Sequence, residues 1–358
     1  MNLTDIRRLL HRCAALLALG AATAVAPACE RIYESEGDCA IAYRVEFIFT
    51  RNILQVDAIA ARVNSLSLFI FDKQGNLVVT KSEVGDNLAD SQHSFVITEE
   101  EIAPGYYDLI AWGGLDGNNS FSLAGGDAPR TKQDLICRME RLRDEQNNAY
   151  SNQPLAPLFY GEDPNIYFPD NTYGQTTITS TINLTKDTNT VRVVLQYHDG
   201  HEIDMDDFSF TITDANGLLN YDNAILSDEE ITYYEHTKTN TTIPIPGTAI
   251  ARADDESGPG INSVVAEIDV SRLVKDDLRK PRLAVYTSDR VRPIIDIDLI
   301  ALLLQANTES GGKLHDQMYL DYQDDYNLIF FLTDEKDWHI SGGIWVNSWH
   351  VIYQKPSL

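Results

Sequence analysis

The amino-acid sequence predicts an all-β protein made of β-sandwiches. Apolar and polar side chains alternate over many short segments, which is the pattern of strands with one buried face. Turn-forming residues separate these segments, and apolar residues with helical spacing are scarce. Two sheets of such strands can bury their apolar faces about 10 Å apart, so the β-sandwich is the expected fold class.

The first 28 residues have the features of a secretory signal peptide. A basic start with Arg7, Arg8 and Arg12 is followed by an uncharged apolar stretch over residues 13–26. At about 14 residues, this stretch is too short for a helix that crosses a bilayer. We therefore expect residues 1–28 to be removed.

Cys29 follows small residues in the order Val25-Ala26-Pro27-Ala28-Cys29. A lipoprotein signal peptidase cleaves before such a cysteine, so Cys29 is the expected acylated N-terminus of the mature chain, and several acyl chains hold a protein firmly on a membrane. Pro27 departs from the usual pattern. The alternative is an ordinary secreted protein that is cleaved after Ala28.

The mature chain is strongly acidic. Removal of residues 1–28 takes away three arginines and one aspartate, so the formal net charge changes from −26 to −28. Nucleic acid is therefore not an expected partner, because its phosphates need a basic surface. The remaining 330 residues are more than a domain with a single hydrophobic core usually contains, so two domains are expected.

The first predicted strand carries four apolar residues on one face, and these are Tyr43, Val45, Phe47 and Phe49. A short helix is predicted within Ile53–Val63, where apolar residues recur every three or four positions. Ile294–Leu304 fits either a helix or a strand. The other strands are predicted at residues 64–71, 106–112, 176–184, 191–195, 208–212 and 328–332.

A polar break, Lys186-Asp187-Thr188-Asn189, separates two of these strands and is the expected domain junction. The predicted organisation is a signal peptide (1–28), an N-terminal β-sandwich (29–187) and a C-terminal β-sandwich (188–358). Residues 252–262, which are rich in acidic residues and glycine, are expected to form an exposed excursion of the second domain.

The sequence does not decide whether two of the four cysteines form a disulfide or stay reduced. Cys13 leaves with the signal peptide and Cys29 takes the lipid, so Cys39 and Cys137 remain. An oxidising compartment favours a disulfide between them, whereas two buried reduced thiols are the alternative. They lack the Cys-x-x-Cys spacing of a zinc or redox site.

Sequence signatures of catalysis, such as Gly-x-Ser-x-Gly or His-Glu-x-x-His, do not occur, and no enzymatic activity is expected. His198–Glu202 contains two imidazoles and two carboxylates, but it follows a strand and contains glycine, so an exposed loop is expected rather than a metal site. Tyr106, Tyr107 and Trp112 are expected to pack in a core rather than to bind sugar. We expect no cofactor and no metal.

Several segments, in order along the mature chain, resemble the fimbrium anchoring subunits of Bacteroidales. The resemblance implies two tandem transthyretin-like β-sandwich domains, a lipid at the mature N-terminus and a place at the base of a fimbrium in the outer membrane. Ser348 stands where the family pattern has a glycine. The matching segments are residues 39–47, 56–59, 63–72 with Gly75, 104–114, 158–161, 184–193, 319–328 and 344–349.

The resemblance also implies that a fimbrial shaft subunit is joined by strand exchange, in which a terminal strand of one subunit fills a groove in the next. The expected donor strand contains Ile344, Val346 and Ser348, and the alternative is that it closes the second sandwich of its own chain. Shaft subunits of this group lose their first strand and lipid to an arginine-directed protease, whereas an anchor keeps both.

The expected function is therefore that of a surface-exposed outer-membrane lipoprotein that anchors a fimbrium and limits its length. Two alternatives use the same fold. One is a fimbrial tip or accessory adhesin without the lipid, and the other is a glycan-binding surface lipoprotein.

Overall fold

The computed structural model describes residues 42–117, 119–126, 129–170, 177–244, 260–289, 291–309, 311–312, 314–333, 344–347 and 349–351. In this part of the chain most residues lie in strands, which confirms the predicted all-β class. The described helices are too short to span a membrane. The predicted signal peptide, Cys29, Cys39, Ser348 and most of the predicted excursion at 252–262 lie outside the described residues.

The strands are β1 (Ala42–Arg51), β2 (Ser65–Phe71), β3 (Leu77–Val84), β4 (Ser94–Thr98), β5 (Gly105–Gly113), β6 (Phe121–Leu123), β7 (Cys137–Met139), β8 (Leu142–Arg143), β9 (Ala149–Ser151), β10 (Phe159–Phe168), β11 (Thr177–Lys186), β12 (Thr188–Tyr197), β13 (Phe208–Asp214), β14 (Leu218–Leu219), β15 (Ile231–Tyr234), β16 (Thr237–Pro244), β17 (Gly260–Ser271), β18 (Arg282–Thr287), β19 (Ile295–Asp298), β20 (Asp325–Leu332), β21 (Ile344–Val346) and β22 (Trp349–Val351). The helices are α1 (Ile59–Arg62), α2 (Asp86–Asp90), α3 (Leu299–Glu309) and α4 (Asp316–Tyr322).

The first sandwich contains seven strands in the order β3-β2-β5-β10-β11-β1-β4. Only two residue pairs, Phe159 with Lys186 and Tyr160 with Thr185, connect β10 to β11, so the sheet divides there into parts of four and three strands. Alternate side chains of both parts form one buried cluster, as expected for two facing sheets.

The second sandwich consists of two six-stranded sheets, β16-β17-β12-β20-β21-β22 and β19-β18-β13-β15-β9-β8. Their apolar faces share one core, to which α3 and α4 add leucines and a tyrosine. The ambiguous segment Ile294–Leu304 contains both elements, because β19 ends at Asp298 and α3 begins at Leu299.

Strands β6 to β9 precede residue 187, and two of them, β7 and β9, pair with strands that follow it, whereas β6 pairs with β7 and β8 pairs with β9. β7 pairs with β14, and β9 lies parallel to β15. The chain thus runs from the first sandwich into the second, returns for β10 and β11, and leaves again at Asp187. The division at 187/188 stays a prediction, and under it β6 to β9 would complete sheets of the other domain.

The predicted helix within Ile53–Val63 is shorter than expected, because only α1 is helical. The preceding turn is fixed by two polar side chains. Asn52 Nδ2 donates to the carbonyl oxygens of Phe49 and Val56, and Asp57 Oδ1 accepts from the amide of Phe49 at 2.9 Å. These side-chain bonds offer the backbone a stable alternative to a helix.

Candidate assembly site at the two chain ends

The N-terminal strand β1 lies between β11 and β4 in the first sandwich. It runs parallel to β11, with Ala42 opposite Thr177, and antiparallel to β4. Its four inward side chains, Tyr43, Val45, Phe47 and Phe49, are all buried. Both of its backbone edges and its apolar face are therefore occupied by the rest of this chain.

Aromatic contacts along β1 fix its position. The ring of Tyr43 lies 4.3 Å from that of Phe168, and the ring of Phe49 lies 5.2 Å from that of Phe159, measured between centroids. The Tyr43 hydroxyl also donates to the carbonyl oxygen of Pro169. Burial raises the pKa of this hydroxyl, which keeps it neutral.

Residues 29–41 connect the predicted lipid attachment at Cys29 to Ala42. Fully extended, these residues reach at most roughly 45 Å. This segment, called the tether, is covalently joined to β1 at Ala42, which lies opposite Thr177.

Strand β21, which is followed by β22, packs into the second sandwich of its own chain. Its ladder with β20 consists of two residue pairs, Leu328 with Val346 and Ile329 with Trp345. Ile344 and Val346 are fully buried, whereas Trp345 is 38% exposed. The structure thus brings Ile344 and Val346 together in one core. Donation of this strand to a neighbouring subunit stays a prediction.

The polar junction is buried, which its sequence did not indicate. Asp187 is fully buried and accepts from the guanidinium of Arg272 at 2.7 Å and from Asn223 Nδ2 at 3.0 Å. Arg272 also reaches Asp321 at 3.1 Å, and Lys186 lies 3.0 Å from an acidic residue before β20, Asp324. Partners 36 or more residues away therefore satisfy a segment that resembles an exposed linker.

Burial raises the pKa of Asp187 to about 7, because loss of water outweighs the attraction of Arg272, and the nearby charge of Asp321 acts in the same direction. Its Oδ2 atom has no hydrogen-bond partner among the described residues. Asp187 is thus a titratable group at the point where the chain leaves the first sandwich.

Cys137 is buried on β7 and forms no disulfide with another described residue. Burial and the negative charges of Asp187 and Glu140 raise its pKa well above the ordinary value, which makes it unreactive. Because Cys39 lies outside the described residues, the disulfide between the two stays a prediction.

The other sequence-predicted groups occupy different places. His201 lies in a turn after β12, stacks on Tyr197 and contacts Asp199, and within the described ranges no three His, Cys, Asp or Glu side chains cluster as a metal site would require. Trp112 and Tyr107 are buried in cores, as predicted. Tyr106 is instead half exposed, with its ring 4.8 Å from that of Tyr167.

Solved structures with this architecture include adhesin-type proteins of Bacteroides thetaiotaomicron. One, described as a candidate adhesin, has a TM-score of 0.73 and 27% identity over 87% of this chain and 98% of that chain. Another, described as a candidate polysaccharide-binding protein, has a TM-score of 0.71 and 27% identity over 88% and 99% of the two chains. The fold therefore defines a class of adhesin-like proteins with linked β-sandwiches.

The chain belongs to the family of fimbrillin-A associated anchor proteins Mfa1 and Mfa2, whose family model matches residues 35–355. The minor fimbrium anchoring subunit Mfa2 of Porphyromonas gingivalis is 25% identical over 240 residues, which are 65% of this chain and 68% of that protein. The structure of the fimbrial anchor protein Mfa2 from that organism shares the fold, with a TM-score of 0.62 and 18% identity over 87% of this chain and 99% of that chain. These matches confirm the resemblance found in the sequence and associate the chain with cell-surface fimbriae.

Proposed function

We propose that this chain is an outer-membrane lipoprotein that anchors a fimbrium to the cell surface, binds the shaft subunit by strand exchange and limits fimbrial length. The observation that supports this best is the position of β1, which is paired on both sides and is separated from Cys29 by the 12 residues 30–41. A subunit that keeps this strand also keeps its lipid.

The occupied position of β1 supports a terminal role in a strand-exchange polymer. A donated strand needs an open groove with unpaired backbone groups and empty side-chain pockets. In the first sandwich the place between β11 and β4 is filled by β1 itself. Such a subunit accepts no strand there, so growth on that side stops.

The C-terminal segment is the proposed donor, with Ile344, Val346 and Ser348 as its inward residues. Its short ladder favours release, because only two residue pairs join it to β20. Burial of Ile344 and Val346 opposes release by about 1.5–3 kcal/mol for each side chain. Exchange therefore requires a partner groove that buries both side chains again and pairs with the strand over a longer ladder.

The proposal is tested by acyl labelling of cells that carry Cys29→Ser, with Cys13→Ser as the matched control, because Cys13 leaves with the signal peptide. We expect Cys29→Ser to abolish the label and release fimbriae into the medium, while Cys13→Ser changes neither. A fimbrial fraction that contains an unlipidated chain trimmed beyond Arg31 or Arg51 would identify a shaft or tip subunit instead.

A second candidate function is glycan binding, which the exposed tyrosines support. The Tyr106 and Tyr167 rings are each half exposed, and Lys73 Nζ lies 5.1 Å from the centroid of Tyr106. Aromatic faces beside polar groups can stack on sugar rings. If this function operates, Tyr106→Ala should abolish retention on a polysaccharide column, whereas Tyr234→Ala, another exposed tyrosine, should leave it unchanged. Retention unaffected by Tyr106→Ala would exclude this face.

A further inference from the structure

Strands β1 and β11 are parallel and connect to different parts of the protein. The tether precedes β1 along the chain, and the first residue of β1, Ala42, lies opposite Thr177 at the start of β11. β11 continues at its other end through Lys186 and Asp187 directly into β12 of the second sandwich. Tension between the tether and the second sandwich therefore acts on opposite ends of this strand pair.

The rest of the first sandwich is fixed to the second sandwich. The outer face of β2, β5 and β10 contributes five side chains to the core of the second sandwich, and these are Phe69, Phe71, Ile110, Trp112 and Tyr160. The Tyr160 hydroxyl donates to the carbonyl oxygen of Tyr221 at 3.0 Å, and Lys186 pairs with Asp324. None of the inward residues of β1 belongs to this shared core. Tension therefore pulls β1 against a body that includes both sandwiches.

The direction of this tension loads the ladder in shear. Ladder hydrogen bonds lie across the strands, so a pull along β1 strains all of them together rather than one after another. Residues Ala42 to Ile48 form seven consecutive pairs with β11, and Ala42 to Glu46 form five with β4.

Side chains also oppose sliding of β1 along its neighbouring strands. A slip by one residue would turn the apolar face of β1 outward, and the smallest slip that preserves the facing is two residues, roughly 6.6 Å. At the junction end, Asn183 Nδ2 donates to Thr50 Oγ1 at 2.8 Å, and the Arg51 guanidinium donates to Thr185 Oγ1 at 3.0 Å. These contacts would break in the same movement.

We propose that β1, β4 and β11 form a load-bearing clamp that transmits tension between the N-terminal tether and the second sandwich. The physiological source of the tension rests on the proposed anchoring function. The clamp is a property of the fold and can be measured on the isolated protein.

The test is single-molecule force spectroscopy on the mature chain without lipid, in a Cys29→Ser and Cys39→Ser background. This background removes the lipid site and any disulfide that would carry load past β1. One handle is an N-terminal tag. The second is attached through Leu278→Cys, on a 97% exposed residue of the second sandwich, or through Thr177→Cys, on an exposed residue beside Ala42.

The two handle positions compare shear with unzipping in the same protein. The handle at residue 177 pulls β1 away from β11 one residue pair at a time. At equal loading rate, the rupture force with the handle at residue 278 should therefore be at least about twofold higher. Equal forces in both geometries would overturn the clamp.

Two matched core variants locate the resistance. Phe47→Ala in β1 should lower the rupture force in the Leu278 geometry, whereas Phe330→Ala in β20 should lower thermal stability but leave release of β1 at its original force. A rupture force that falls with Phe330→Ala and stays unchanged with Phe47→Ala would overturn the proposed clamp. If the clamp holds but Cys29→Ser cells retain their fimbriae, the anchoring proposal alone fails.

Discussion

Asp187 shows how a single residue determines the connection between the sandwiches. A carboxylate removed from water is costly unless charged and hydrogen-bonding partners replace its hydration. Arg272 and Asn223 supply these partners, and both lie in the second half of the chain. The end of the first sandwich is thereby bound to the second by a group whose charge depends on pH.

Titration of Asp187 should make stability pH-dependent. Its pKa of about 7 in the folded protein exceeds its ordinary value of 3.8, so the folded state binds the proton more tightly. The stability that protonation confers is complete below pH 3.8 and is lost as pH rises through about 7. Relative to Asp187→Asn, we expect the free energy of unfolding of the wild type to fall by on the order of 2 kcal/mol between pH 5 and pH 8. Urea denaturation of both proteins at both pH values measures this difference. The same change in the free energy of unfolding for the wild type and for Asp187→Asn would contradict the prediction.

Gly114 is a second position where one residue matters. Its φ is +86°, and an added Cβ would lie 2.0 Å from the carbonyl oxygen of Pro157. Gly114→Ala should therefore cost about 3 kcal/mol or more. Gly85→Ala is the control without a clash, because its φ is +61° but no atom lies within 4 Å of the added Cβ, so backbone strain alone should cost about 1–3 kcal/mol. Chemical denaturation compares the two, and equal losses would show that the backbone at Gly114 moves freely.

At the scale of elements, β21 is small but well packed. It has three residues, two of them fully buried, and it lies between β20 and β22. Asn347 forms the following turn, where its side chain accepts from the amide of Asn327 at 2.9 Å. The short strand thus depends on its side chains more than on its ladder.

Neighbouring substitutions in β21 test this packing. Ile344→Ala should destabilise the isolated protein by about 3 kcal/mol, because it leaves a cavity in the core. Trp345→Ala removes a larger but partly exposed side chain and should cost about 1 kcal/mol. Thermal denaturation followed by circular dichroism distinguishes them. No loss from Ile344→Ala would mean that the strand is detached before a partner binds.

Strands with strict alternation or a continuous apolar run could be predicted from the sequence, and short or remotely stabilised elements could not. The alternation of Tyr43 to Phe49 identified β1 because one face of a strand repeats every second residue. Strands β7, β8 and β9 have two or three residues, too few for a period to show. The Asp187 site also escaped prediction, because Arg272 lies 85 residues away. Polar composition alone cannot distinguish a linker from a buried ion pair.

At the scale of the whole molecule, the two sandwiches are interleaved along the chain. β8 and β9 complete one sheet of the second sandwich, and β6 and β7 form a small sheet with β14, before the chain returns to finish the first sandwich. Five side chains of the first sandwich also lie in the core of the second. The sandwiches are therefore expected to unfold as one unit.

Residues 188–358 alone should not fold. Without β9 and β7, this fragment exposes the edges of β15 and β14 and part of its core. We expect no cooperative urea transition for the fragment, and we expect co-expression with residues 119–158 to restore one. A cooperative transition of the fragment alone would show that β12 to β22 form an autonomous domain.

The pairing of β1 with β11 also has a consequence for the order of folding. A ribosome produces β1 more than 120 residues before β11, and closing so long a loop costs entropy before any pairing compensates for it. β1 can pair with β4 soon after both are synthesised, but its ladder with β11 must wait until more than 120 residues after β1 have been synthesised. Until then one edge of β1 stays unpaired and its apolar face is incompletely covered, so slow folding with a need for protection from aggregation follows from the contact order of this topology.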